Sequence, residues 1–291
     1  MTLKLARELF VAVGALVAVT GSAQAADFAT LVNEAKVAYE ARGYDAAGRL
    51  QAERAVDLYK QAMAVASNDA EKFTSMIGQS EAQYFVGNST DDNQVKIERH
   101  LAGLEIADAV VKAFGVQDVT AVAEADLQRL KALPADQLAL LGEALYYRGI
   151  NLGQWGAANG VMASLGRWPE LRSTMELIVN INLKNIHEYG AFRTLGRGYF
   201  KVPGMFGGSN KRAEKYLSEA VKQTLAAGQI FSTNGYNNIY YAELLKDLGR
   251  DQEAKDLLQA FVNSQVLAVN PPSKQEYVRA QGEAADLLAQ W

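Results

Sequence analysis

Between Gly190 and Arg250 the apolar positions recur at helical spacing and alternate with small ones. Phe192, Leu195, Gly196 and Tyr199 fall on one face of a helix. A Pro-Gly turn follows, Lys201-Val-Pro-Gly-Met-Phe-Gly-Gly-Ser209, and after it Ala213, Leu217 and Ala220 make a small-large-small stripe. The arrangement returns as Asn238, Tyr241, Ala242 and Leu245, then Gly249 at a turn, then Ala254, Leu258 and Phe261. Small residues at fixed offsets on consecutive helices predict closely packed antiparallel hairpins, because helix axes approach to about 8–10 Å only where the side chains between them allow it. A large residue at Gly196 or Ala213 should clash.

The rest of the chain reads in the same terms. Phe28 to Ala41 is predicted as a helix with Leu31, Ala35, Ala38 and Tyr39 on one face, broken at Gly43-Tyr44-Asp45. A second helix carries Ala55, Tyr59 and Ala62. Asn68 and Glu71 have the form of a capping box that opens a third, running through Ile77 and Tyr84 to Val86. Beyond the polar loop from Gly87 to Asn93, a fourth helix presents Ala102, Ile106 and Ala109 as its stripe and ends near Gly115. Val119 to Leu133 predicts an extra amphipathic helix, and Pro134 fits the first turn of the next. That helix carries Leu138, Leu141, Gly142 and Leu145. Gly153-Gln-Trp-Gly156 and Asn159-Gly160 are read as breakers, and Trp168-Pro169 as the opening of a helix faced by Leu171, Met175, Ile178 and Ile181. Pro271-Pro272 stops the chain, and Ser273 with Glu276 caps a final helix that ends the stack at Trp291. No run alternates long enough to predict a strand.

Phe192-x2-Leu195-Gly196-x2-Tyr199 fits the W-x2-L-G-x2-Y pattern of the first helix of a tetratricopeptide unit, with Phe in place of Trp. The expected fold is therefore all-α: tetratricopeptide-like helical-hairpin repeats, an α-solenoid, in one domain over residues 26–291. Its spacing is irregular. Gly142 to Gly196 is 54 residues and Gly196 to Ala242 is 46, against about 34 for a standard repeat. The register aims Arg193, Arg197, Phe200 and Lys201 into the concave groove, with Tyr146, Tyr147 and Glu143 from the preceding repeat and Tyr236 and Glu243 from the next.

Composition narrows the setting. Lys4 and Arg7 precede an apolar run from Leu9 to Val19, and Ala23-Gln24-Ala25 supplies a small-x-small cleavage site. Residues 1–25 thus read as a secretory signal, and the expected location is the periplasm. Removing them takes the formal charge from -4 to -5. The chain has no cysteine, so in an oxidising compartment the fold rests on burial without disulfides. A mildly acidic chain offers no electrostatic footprint for nucleic acid.

Candidate chemistry is sparse. Arg193 and Arg197 lie four apart on one helical face, where two guanidinium groups can hold a carboxylate, or simply pair with Glu188 or Glu243. Gly204 to Arg212 is glycine-rich but lacks the Gly-Lys-Ser/Thr ending and a preceding strand, so it reads as a wide turn with Ser209 as N-cap. Met205 and Phe206 at its tip either tuck under the turn or dock on a partner. Asn234 to Tyr241 concentrates amides and phenols, as sugar or peptide sites do and as helix caps do. Trp155 either lines a pocket or fills an irregular hairpin. His100 and His187 stand in no metal-ligand spacing and are expected as ordinary helix-surface residues. No nucleophile motif is present, so neither catalysis nor a cofactor is expected.

The helix from Gly190 to Phe200, the Pro-Gly…Gly-Gly-Ser turn, the Ala213–Ala220 stripe and the Tyr240-Tyr241-Ala242 helix together resemble the T-component family associated with TRAP-type transporters. Those are exported tetratricopeptide-like proteins that work beside a periplasmic solute-binding protein. The resemblance covers about a third of the chain. It implies an all-helical fold, a protein partner of the solute-binding kind, and assembly as a homo-oligomer, a trimer with a central apolar channel. A carrier of a small apolar ligand is the alternative that the same groove suggests.

Overall fold

The computed structural model describes residues 26–269, 271 and 273–291. The segment read above as a secretory signal, residues 1–25, lies outside them, as does Pro272. The described chain is all-α: α1 (Phe28–Glu40), α2 (Ala46–Val65), α3 (Asp69–Asn88), α4 (Asn93–Ala113), α5 (Glu124–Lys131), α6 (Ala135–Asn159), α7 (Val161–Asn180), α8 (Gly190–Lys201), α9 (Asn210–Gln223), α10 (Gly235–Asp247), α11 (Asp251–Val262), α12 (Val266–Val269) and α13 (Lys274–Gln290). The only extended pairing among the described residues is one antiparallel bridge, Leu225 with Ser232. No helix of the described residues is long and apolar enough to cross a membrane.

Successive helices pack as antiparallel hairpins, α1/α2, α3/α4, α6/α7, α8/α9 and α10/α11, with α13 against α10 and α11. The small residues set these distances. A Cβ built on Gly196 would lie 2.5 Å from Leu217 Cγ, and Ala213, Leu217 and Ala220 are fully buried, so the predicted clash at Gly196 has its atom. The N-caps follow the sequence too. Asn68 Oδ1 accepts from the Glu71 N–H at 3.0 Å, Ser209 Oγ from that of Arg212 at 3.3 Å and Ser273 Oγ from that of Glu276 at 3.4 Å.

Several expectations are corrected. The stripe of α4 is Gly103, Leu104, Ala107 and Val110, not Ala102, Ile106 and Ala109, and Ala109 is exposed. Gly103 sets this register, because its missing side chain admits Asn151 of α6, which a Cβ would meet at 2.6 Å. The extra helix is only Glu124–Lys131, and Pro134 is the N-cap of α6 rather than a residue of its first turn. α6 runs unbroken through Gly153 and Gly156, and the hairpin turns at Gly160 alone, with φ +95°. Trp168-Pro169 opens nothing and lies inside α7. Burial against α4 and α7 holds α6 helical where local propensity alone would break it.

Polar ties hold the centre of the stack. Arg148 of α6 is buried and donates to Asp108 Oδ1 of α4 at 2.7 Å and to Thr174 Oγ1 and Glu170 Oε1 of α7 at 2.6 and 2.5 Å. The first hairpins and the last helix of the described chain also meet. Arg42 Nη2, just after α1, donates to Glu276 Oε1 of α13 at 3.0 Å. Gln275 Nε2 donates to the Glu40 and Arg42 carbonyls, and Arg279 Nη1 to that of Asn88. These side-chain ties join the first hairpins to the last helix.

Candidate functional site

The first helices of the central hairpins aim one set of side chains at a shared interior. Tyr146 and Tyr147 come from α6, Arg193 and Arg197 from α8, and Tyr240 from α10. Arg193 is buried. Its Nη2 donates to the Tyr146 hydroxyl at 2.8 Å, and its Nη1 to Asn237 Oδ1 at 3.1 Å and to the His187 carbonyl at 3.4 Å. Arg197 donates to the Glu243 carboxylate and lies 4.4 Å over the Tyr240 ring. The two guanidinium groups therefore have separate partners.

The backbone that places this set is unusual. His187, Glu188 and Tyr189 are consecutive non-glycine residues with φ of +44°, +52° and +61°, and Asn182 has +65°. Each costs on the order of 1–3 kcal/mol and persists only where its surroundings over-determine it. Here they do. Glu188 accepts from Thr233 Oγ1 at 2.6 Å and Asn234 Nδ2 at 2.9 Å, and its carbonyl accepts from Asn237 Nδ2 at 3.3 Å. His187 Nε2 bonds Glu143 Oε2 at 2.6 Å, with its ring stacked 4.1 Å from that of Tyr146 and edge-on to that of Tyr147. His187 is thus no helix-surface residue. It joins the segment before α8 to α6.

Burial sets the electrostatics. It pushes the phenols of Tyr146 and Tyr147 up, against the pull of Arg193 on Tyr146. On α3, burial also raises the Glu81 carboxyl, opposed by the nearby Tyr147 hydroxyl and the Arg42 guanidinium. Tyr39 and Tyr84 complete the lining from the first two hairpins. Tyr39 feels Glu81 and Arg42, and Tyr84 feels Tyr146, Tyr240 and Arg193.

Glu143 and His187 keep 37% and 30% of their side-chain surface exposed, so solvent reaches the centre. Tyr146 and Tyr147 themselves are buried, with the Tyr146 face covered by the His187 ring. Among the described residues no group of three or more His, Asp or Glu side chains is placed to hold a metal ion.

The other sequence candidates spread outward. Tyr236 is half-buried and its hydroxyl donates to Glu283 Oε1 of α13 at 3.1 Å. Phe200 is partly buried with Lys201 Nζ 4.4 Å over its ring. Met205 and Phe206 lie apart from this interior, exposed on the turn between α8 and α9. Trp155 is half-buried under Arg167. His100 is buried on α4 rather than exposed, because Gly87 of α3 leaves room for its ring. The sequence carried no signal for Glu81 or for Arg42, whose partner Glu276 lies 234 residues away. A shallow depression between α1 and α2, lined by Asn33, Val37, Gln51 and Arg54, is separate from the tyrosine-lined face.

A scan against protein-family models finds none that matches the chain, and a search of curated proteins returns no match.

Proposed function

We propose that this chain is a non-enzymatic helical-repeat binding protein of the cell envelope that holds a small ligand on its concave face. The observation that carries the reading is the gathering of Tyr146, Tyr147 and Tyr240 with Arg193 and Arg197 where α6, α8 and α10 meet, together with the pairing of Arg42 and Glu276 between the first hairpin and the last helix. A folded partner needs an open groove, whereas a small molecule needs a lined enclosure with a few fixed polar groups. Tyr146, Tyr147 and Tyr240 supply the lining, and Glu143 and His187 supply polar groups that solvent reaches.

The resemblance to the TRAP-associated T-component family supports the setting: an exported protein working beside a periplasmic solute-binding protein, with the ligand passing between them. Native mass spectrometry of the purified protein tests the reading. A small molecule retained by the wild type and lost from Tyr147→Ala with the helical circular dichroism intact is expected. A wild type that carries nothing, and binds nothing from a periplasmic small-molecule extract, rejects it. Capture of a solute-binding protein from the same extract tests the setting separately.

A further inference from the structure

We propose that the edge of the stack bearing the α6/α7 and α8/α9 turns docks on an anionic lipid surface, with Met205 and Phe206 inserting and Lys211 and Arg212 meeting the headgroups. Met205 is 86% exposed and Phe206 49%. A loose loop would fold such side chains against the nearest apolar surface. This turn is built so that it cannot.

The Phe206 N–H donates to the Pro203 carbonyl at 2.9 Å, that of Gly207 to Gly204 at 3.0 Å, and that of Ser209 to Tyr199 at 2.8 Å. Gly207 has φ +94°, and a Cβ on Gly208 would lie 1.6 Å from the Val202 carbonyl oxygen, so both positions require glycine. Beneath them is the buried indole of Trp168, whose Nε1 is 3.8 Å from where a Gly207 Cβ would stand. The backbone is fixed to the core while its two large apolar side chains point into water.

The neighbouring hairpin extends the patch. Val161 and Met162 open α7 and are 72% and 78% exposed. They begin seven residues before Trp168, a distance of about 10 Å along the helix. Because the hairpins are antiparallel and stacked, both turns emerge on the same edge.

Charge points to the same occupant. Residues 160–168 and 201–212 hold no Asp or Glu, in a chain whose net charge is -4; of their four cations Arg167 pairs with Glu170 and Lys201 with Glu243, which leaves Lys211 and Arg212 to face outward. Lys211 and Arg212 make no ion pair among the described residues. Apolar tips ringed by cations are held at a bilayer surface by insertion at the headgroup boundary and by attraction to anionic lipid. Tips from two hairpins along one edge suit a broad surface rather than the cleft of an acidic protein.

Co-sedimentation with vesicles of phosphatidylcholine, alone and mixed with phosphatidylglycerol, tests this. The apolar run from Leu9 to Val19 meets lipid on its own account, so every variant keeps the wild-type N-terminus and the differences between them are read. The wild type is expected to bind the mixed vesicles more tightly than the neutral ones, and less so as salt rises. M205E/F206E should bind them roughly tenfold or more weakly, and K211E/R212E roughly fivefold weaker for each cation reversed. All the altered side chains are exposed, and circular dichroism confirms that the variants fold. Mixed vesicles bound equally by wild type and M205E/F206E overturn the proposal, as does a wild type that ignores them, including one that binds an acidic protein through this edge instead.

Discussion

His100 shows how much one side chain can owe to its neighbours. Its ring is 1% exposed, Nδ1 bonds Asn151 Oδ1 at 3.2 Å, and a Cβ on Gly87 would lie 2.6 Å from Nε2. Burial lowers its pKa to about 4, against the opposing bond from Asn151. The unfolded chain, with a histidine pKa of about 6.5, takes up the proton first. The contribution to stability is therefore complete above that value and lost as pH falls toward the folded value. Between about pH 7.5 and 5 the loss should be about 2 kcal/mol. Urea unfolding across this window should show it, and His100→Gln should flatten the slope; identical slopes would place the ring in solvent. Nothing in the spacing around His100 or His187 predicts either environment: His100 is enclosed by Gly87 of the facing helix and Asn151 of α6, and His187 is held by Glu143 and Tyr146 of α6.

At the scale of the element, helical glycines separate into two kinds. Gly153 of α6 and Gly166 of α7 have room: the nearest atom to a Cβ on Gly153 is Leu171 Cδ2 at 3.7 Å, and none lies within 4 Å at Gly166. Replacing either with Ala should raise stability by about 0.5–1 kcal/mol, since glycine is the costlier residue in a helix interior. Gly198 of α8 is the opposite kind. Its Cβ would sit 2.1 Å from Trp168 Cζ3, so Gly198→Ala should lower stability by about 1–3 kcal/mol through overpacking. Thermal denaturation of the three variants should give two upward shifts and one downward. A downward shift for Gly153→Ala would mean that α6 does break there, as the local sequence suggests. The Gly196 contact was legible because its partner stripe follows within one hairpin. The register of α4 was not, because Asn151 arrives from α6.

For the whole molecule, the pairing of Arg42 with Glu276 ties the first hairpin to the last helix. The two residues are 234 positions apart and partly buried. Their coupling, measured by a double-mutant cycle with Arg42→Ala and Glu276→Ala, should be about 1–2 kcal/mol, as for residues sharing one hydrogen-bond network. Amides of α13 should exchange faster in either variant while those of α6 stay protected. Uniform protection in the variants would mean that α13 is held by α10 and α11 alone. If the enclosure is the ligand site, both variants should also retain less ligand by native mass spectrometry.

The sequence by itself determined that the chain is helical, that Asn68, Ser209 and Ser273 cap their helices, and which small residues seat the α8/α9 and α10/α11 hairpins. Those features depend on periodicity and on contacts within one hairpin, and both are written in consecutive residues. Tertiary structure alone decided that α6 and α7 run through Gly153 and Pro169, that His187 to Tyr189 turn left-handed, and that the first hairpin and the last helix meet at Arg42 and Glu276. Each of these is stabilised by groups distant in the chain, so burial and hydrogen bonding across hairpins outweigh what the local residues prefer.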